Sequence, residues 1–210
     1  MKPANNRALS TVKKKKTQQP VRQGLITVIP LGKVGEDVIR VVSDSLQGVL
    51  RLPVDVSDVV LVPAEAYMEN RNQYNAMTII RHLNDHHSRL GLKVLGVTSK
   101  DLGNPILTYV FGEAYMGGAA AVMSYHRLYK GPGDDPVSRE QFLDRVAKVA
   151  LHEIGHTFNV PHCHSGRCVM RASNSIMDLD QKLNYLCDYC ELFLFEAVAA
   201  ALKKPDVKSK

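Results

Sequence analysis

The alternation of apolar and polar positions divides the chain into strand-length and helix-length periods. Residues 24–32 (GLITVIPLG) form a short β-rich apolar run closed by Pro-Leu-Gly and predict a first strand. Residues 35–50 follow with Val38, Val41, Val42, Leu46 and Val49 at the spacing of one helical face. Residues 51–62 predict a strand broken around Pro53. Residues 72–90 predict a second helix with Met77, Ile80, Leu83 and His87 on one side. Residues 92–98 (LKVLGVT) predict a buried strand, and 100–105 a loop. Two further strands are predicted at 106–112 and 118–125, separated by EAYMG, and PGDDP at 132–136 predicts a loop.

Ser138-Arg139-Glu140-Gln141 then carries a capping-box signature for a third helix, whose stripe of Phe142, Val146, Val149 and Ala150 runs towards His156. Residues 190–202 predict a last helix, and no internal repeat is present. Strands alternating with helices imply an α/β fold, an α+β sandwich in which a mixed sheet packs on helices.

Composition changes this picture little. A 210-residue chain that is 45% hydrophobic and 23% charged can bury one ordinary core, and its glycine, proline and cysteine counts exclude a collagen-like chain, a disulfide scaffold or a wholly disordered chain. The formal charge of +6 changes it more, because of where it sits. Residues 1–23 carry +7 and residues 203–210 carry +3, which leaves −4 for 24–202. The chain is therefore expected to comprise a disordered basic tail at 1–23, a single domain at 24–202 and a second basic tail at 203–210. The Lys13–Lys16 cluster reads as a solubilising run, and no specific nucleic-acid partner is expected. No apolar run follows the basic N-terminus as in a secretory signal, and none reaches the ~18 residues of a membrane span, so the expectation is a cytoplasmic protein without a membrane partner.

The four cysteines all fall late, as Cys163, Cys168, Cys187 and Cys190. In an unsignalled chain four cysteines point to metal ligands ahead of two disulfides. The third predicted helix runs directly into His152-Glu153-Ile154-Gly155-His156. Histidines at i and i+4 share one helical face and can reach one ion at ~2.0–2.1 Å, while the carboxylate beside the first is placed to bond the metal's water. His162 lies six residues after His156, past a reversal in which Asn159 tolerates positive φ. Three histidines leave a fourth zinc position open, the mark of a catalytic site. Cys163-x4-Cys168 and Cys187-x2-Cys190, with 18 residues between the pairs, suit a tetrahedral four-thiolate zinc; a redox pair or two disulfides are the rival readings.

The run HEIGHTFNVPHCHSGRCVM followed by CDYC resembles the archaemetzincins, a branch of the metzincin zinc peptidases, most specifically over 152–190. The resemblance implies a compact metzincin-like catalytic domain. It implies that His152, His156 and His162 hold a catalytic zinc, with Glu153 as general base, and that the four cysteines hold a second, structural zinc. It further implies that Met170 is the Met-turn methionine under the metal, although Met177 competes for that place on sequence alone. Asn159 departs from the glycine usual at that position. The expected activity is zinc-dependent hydrolysis of peptide bonds in peptide or protein substrates through a zinc-bound water activated by Glu153. By the same resemblance the substrate would add a strand against residues 109–116, which on sequence alone read equally as an ordinary hairpin edge. The alternative is a zinc protein that binds peptides with weak or no catalysis. Glu113, which could catch a substrate amine, reads as a solvent-facing turn residue, and no oxyanion donor besides the metal is legible.

Overall fold

Six consecutive buried residues, Ile26–Leu31, form β1 at the centre of the fold, and their side chains alternate between two cores. Ile26 and Val28 face one, Ile29 and Leu31 the other. A strand buried on both faces has no polar side, which is why this run is almost wholly apolar. A computed structural model describes residues 24–203; the basic stretch 1–23 and residues 204–210 of the second tail lie outside the described residues. In chain order β1 is followed by α1 (Glu36–Leu50), β2 (Val54–Val56), β3 (Tyr67–Met68), β4 (Gln73–Asn75) and α2 (Ala76–His87). Then come β5 (Lys93–Thr98), β6 (Leu102–Gly103), β7 (Gly112–Ala114), β8 (Ala120–Ser124), α3 (Arg139–Thr157), α4 (Ile176–Gln181) and α5 (Asp188–Lys203).

The main sheet has the order β2-β1-β5-β8-β7 and is parallel except for β7, which runs antiparallel to β8 with Glu113 opposite Val122. A small second sheet joins β3, β4 and β6. Helix α2 covers one face of the main sheet through Ile79, Ile80 and Leu83. Helices α1, α3 and α5 cover the other, α5 through Cys190, Leu194 and Val198 at intervals of four. This is the mixed sheet between helices that the pattern of periods implies. No helix among the described residues is long and apolar enough to cross a membrane.

Four assignments differ from the sequence expectation. The strand expected at 106–112 forms at Gly112–Ala114 instead, and Ile106 is 91% exposed. Asn104 explains the shift: its Oδ1 accepts from the amides of Ile106 and Leu107 at 3.0 and 2.7 Å, and Arg71 takes the carbonyls of Asn104, Leu107 and Thr108. The backbone groups a strand would need are thus spent on a turn. The loop expected at 100–105 contains the short β6. The second helix starts at Ala76 rather than 72, because Gln73–Asn75 pairs in β4 and Asn75 caps α2 through the amide of Thr78. Lys203, assigned to the second tail, is the last residue of α5.

Candidate active site and metal centres

The site is built on the C-terminal half of α3. Ser138 caps the helix by accepting from the amide of Gln141, as the signature predicts; the Gln141 side chain donates to Asp180 rather than closing the box. Arg145, fully buried, forks onto Asp180 at 2.7 and 2.6 Å and ties α3 to α4. At the other end the amide of Val160 donates to Gly155 O and that of Asn159 to His156 O, with Asn159 at φ 65°. These two bonds form a Schellman cap, in which asparagine fills the left-handed position that glycine commonly takes. Lys93 adds a buried cation at this helix end, donating to Thr157 O and Gly118 O at 2.6 and 2.7 Å.

The cap also orients a side chain of the site. His156 Nδ1–H donates to Val160 O at 2.8 Å, and His152 Nδ1–H donates to Val169 O at 2.9 Å. A carbonyl only accepts, so both rings carry their proton on Nδ1 and present an unprotonated Nε2. Those two lone pairs face each other 3.1 Å apart, close to the ~3.3 Å edge of a tetrahedron with 2.0–2.1 Å metal–nitrogen bonds. His162 returns across the reversal, its ring 5.2 and 4.8 Å from the other two, and one ring nitrogen of each histidine lies within 4.8 Å of those of the others. Burial, chiefly, holds all three histidines below their ordinary pKa, and well below for His152, which keeps the ligating neutral form. Converging lone pairs with no proton between them are a donor set that fits a zinc ion.

Glu153 is 5% exposed on the same helix, and its carboxyl sits against the backbone of Gly112 in β7. Burial and then the neighbouring Glu113 push its pKa up to about 8, with Lys182 opposing. Beneath the histidines Met170 is fully buried and its Sδ packs on Gly155, whereas the rival Met177 is 57% exposed. Lys182, absent from the sequence reading, donates from Nζ to Val169 O and Arg171 O at 3.0 and 2.6 Å, the carbonyls flanking Met170. It is 2% exposed, and burial pushes it down to about 8. Nothing in its polar sequence surroundings announces this.

A cavity of about 660 Å³ opens over Glu153 between Tyr109–Ala114 on one side and residues 172–174 on the other. Tyr109 Oη donates to Asn174 O at 3.0 Å and spans the two walls. Glu113 lines this cavity and is half-buried, which corrects the expectation of a solvent-facing turn residue. It belongs to β7, not to a turn, because the strand forms later than the apolar run suggests.

The four cysteines are free and gather beside the site, with their sulfurs within 4.8 Å of one another. Cys163 and Cys187 Sγ are 3.8 Å apart, close to the ~3.8 Å edge of a tetrahedron with 2.3 Å metal–sulfur bonds. The amides of Ser165 and Cys187 donate to Cys163 and Cys168 Sγ. Cys187 precedes α5, and the backbone amide of Cys190 lowers its pKa, while burial raises Cys168 and Cys190. This donor set also fits zinc.

The sequence profile of peptidase family M54 matches residues 34–195. An archaemetzincin from Haloquadratum walsbyi is 35% identical over 81% of the chain and 99% of its own length, and one from Pyrococcus furiosus 36% identical over 79% and 90%. The crystal structure of the Archaeoglobus fulgidus archaemetzincin, complexed with malonate, superposes with a TM-score of 0.70 at 36% identity, covering 80% of this chain and 99% of that one. That of Methanopyrus kandleri gives 0.75 at 30% identity, covering 84% and 96%.

Proposed function

The chain belongs to peptidase family M54, the archaemetzincins, and is a zinc metallopeptidase, and from that premise we propose how its residues divide the work. His152, His156 and His162 hold the catalytic zinc. Cys163, Cys168, Cys187 and Cys190 hold a second zinc that pins the start of α5 to the segment after α3, and Met170 is the floor under the histidines. When bound, the catalytic zinc supplies a Lewis acid that polarises the scissile carbonyl and lowers the pKa of water towards ~7.

Glu153 is the general base. It takes a proton from the attacking water and hands it to the leaving amine. Burial raises the pKa of this carboxyl in the metal-free chain, which helps it keep the proton once taken, and a bound zinc would oppose that rise and favour the carboxylate that accepts it. The substrate lies as an added strand along β7, the edge of the main sheet, whose Gly112–Ala114 backbone walls the cavity above Glu153. Lys93 and the Asn159 cap hold the helix end still while His162 closes the ligand set. Residues 24–202 act as one catalytic domain.

The observation that carries this reading is the convergence of two unprotonated Nε2 atoms and a third histidine in the cavity that holds a buried carboxyl. A peptide library incubated with the zinc-loaded chain tests it. Cleavage by the natural chain and none by Glu153→Ala, with zinc content unchanged, is the expected result. Cleavage that survives Glu153→Ala would remove Glu153 from the mechanism. Full zinc loading with no cleavage by the natural chain would favour a peptide-binding zinc protein instead.

A further inference from the structure

Four buried side-chain polar atoms among the described residues find no hydrogen-bond partner, and two of them, Glu113 Oε2 and Ser173 Oγ, belong to residues lining the cavity over Glu153. A buried acceptor left unpaired costs free energy and calls for a reason. For Glu113 the rest of the carboxyl is deliberately held. Burial raises its pKa, the Asn104 side chain beside it opposes that rise and favours the charged form, and Asn104 is itself fixed by accepting the amides of Ile106 and Leu107. The turn that displaces β7 from its expected place therefore also aims Asn104 at Glu113.

The charges around this carboxyl do not balance. No salt bridge reaches Glu113 among the described residues, and the cation in the same cavity, Lys182, is committed to the carbonyls of Val169 and Arg171. The other cavity carboxyl, Glu153, is engaged with the water's proton. Glu113 is thus an anchored acceptor with one free oxygen and no cationic side chain paired with it among the described residues, on the strand along which the substrate lies. We propose that Glu113 is a specificity-determining residue that receives a cationic group, an ammonium or guanidinium, carried by the substrate next to the scissile bond. This rests on the peptidase reading. The group can be the amine at a peptide's N-terminus or a basic side chain, and the chemistry at Glu113 is the same for both.

The test is calorimetric binding to the full-length, zinc-loaded Glu153→Gln chain, which separates recognition from cleavage. One peptide sequence is offered in four forms: free or acetylated at its N-terminus, each with lysine or norleucine beside the scissile bond. At least one cationic form is expected to bind about tenfold or more tighter than the acetylated norleucine form, with the free-amine and lysine arms identifying the source. Adding Glu113→Gln, which can still bond Asn104, should bring the ratio to about one, while Glu113→Asp retains a preference. No cation preference, or one that survives Glu113→Gln, would overturn the proposal, as would equal loss in Glu113→Gln and Glu113→Asp. Cleavage by the chain with Glu153 intact is scored separately. Selective binding without cleavage counts against the peptidase reading alone, and cleavage without cation preference counts against Glu113 alone.

Discussion

Two glycines make room for side chains of the site. A Cβ on Gly112 would lie 2.5 Å from Glu153 Cγ, and one on Gly155 would lie 2.6 Å from Met170 Sδ. Gly112→Ala should therefore push the Glu153 carboxyl aside and lower kcat/KM about 10- to 100-fold with zinc content unchanged, since a misplacement near 1 Å has that cost. An unaltered rate would show that the carboxyl does not act from this position. Glu153 also makes the metal-free chain sensitive to pH. Its proton leaves near pH 8 in the folded chain but near 4.5 once unfolded, so between those values the folded state holds a proton that the unfolded state has lost. The three histidines, held below 6.5, act with the opposite sign up to that pH, so the stability of the metal-free chain should fall as pH rises from 6.5 to 8, and Glu153→Gln should flatten that slope in thermal melts. Lys182 acts with the opposite sign, but above pH 8. The histidines, cysteines and Glu153 are legible in the sequence because their spacing within one short stretch, 152–190, is local chemistry. Glu113 and Lys182 are not, because their burial depends on segments distant in the chain: Glu113 packs near α3, and Lys182 reaches back to residues 169–171.

At the scale of elements, α3 is held at both ends by groups that the sequence shows plainly, Ser138 and Asn159, and by two lysines that it does not. Lys182 clamps the turn carrying Met170, and its acceptor Val169 O is also the acceptor of His152 Nδ1–H. Replacing it with Lys182→Met should loosen that turn and weaken zinc binding at the histidines about 10- to 100-fold, as loss of a group orienting a ligand does elsewhere. Competition with a zinc-sensitive dye reads this directly; unchanged affinity would reduce Lys182 to packing. The main helices and the central strands follow the apolar periods because each buries a face against a neighbour. The edge strand does not, because Asn104 and Arg71 consume the backbone groups of 104–108 before the apolar run can pair. Where side-chain chemistry competes with the ladder, periodicity alone misplaces a strand by several residues.

For the whole molecule, the charge summary and the chemistry part company. The basic excess lies at 1–23 and 203–210, and the folded part that carries the site is net acidic. Within that part the two donor sets occupy a single stretch, 152–190, and we propose that they serve different ends. The cysteine set joins the segment after α3 to α5, which packs its Cys190, Leu194 and Val198 into the larger core. Cys190→Ser should lower Tm by about 10 °C or more, the loss expected when a few kcal/mol are removed from a domain of this size. His156→Ala should leave Tm of the cysteine-bound form far less affected, because His156 itself lies on an already capped helix. Zinc-edge X-ray absorption on the purified full-length chain and on His156→Ala tests the two-centre arrangement most directly. The account predicts two zincs per chain with a mixed shell, sulfur at ~2.3 Å and nitrogen at ~2.0–2.1 Å, and in the variant one zinc with a pure four-sulfur shell. A single zinc in the natural chain, or a spectrum that His156→Ala leaves unchanged, would contradict it.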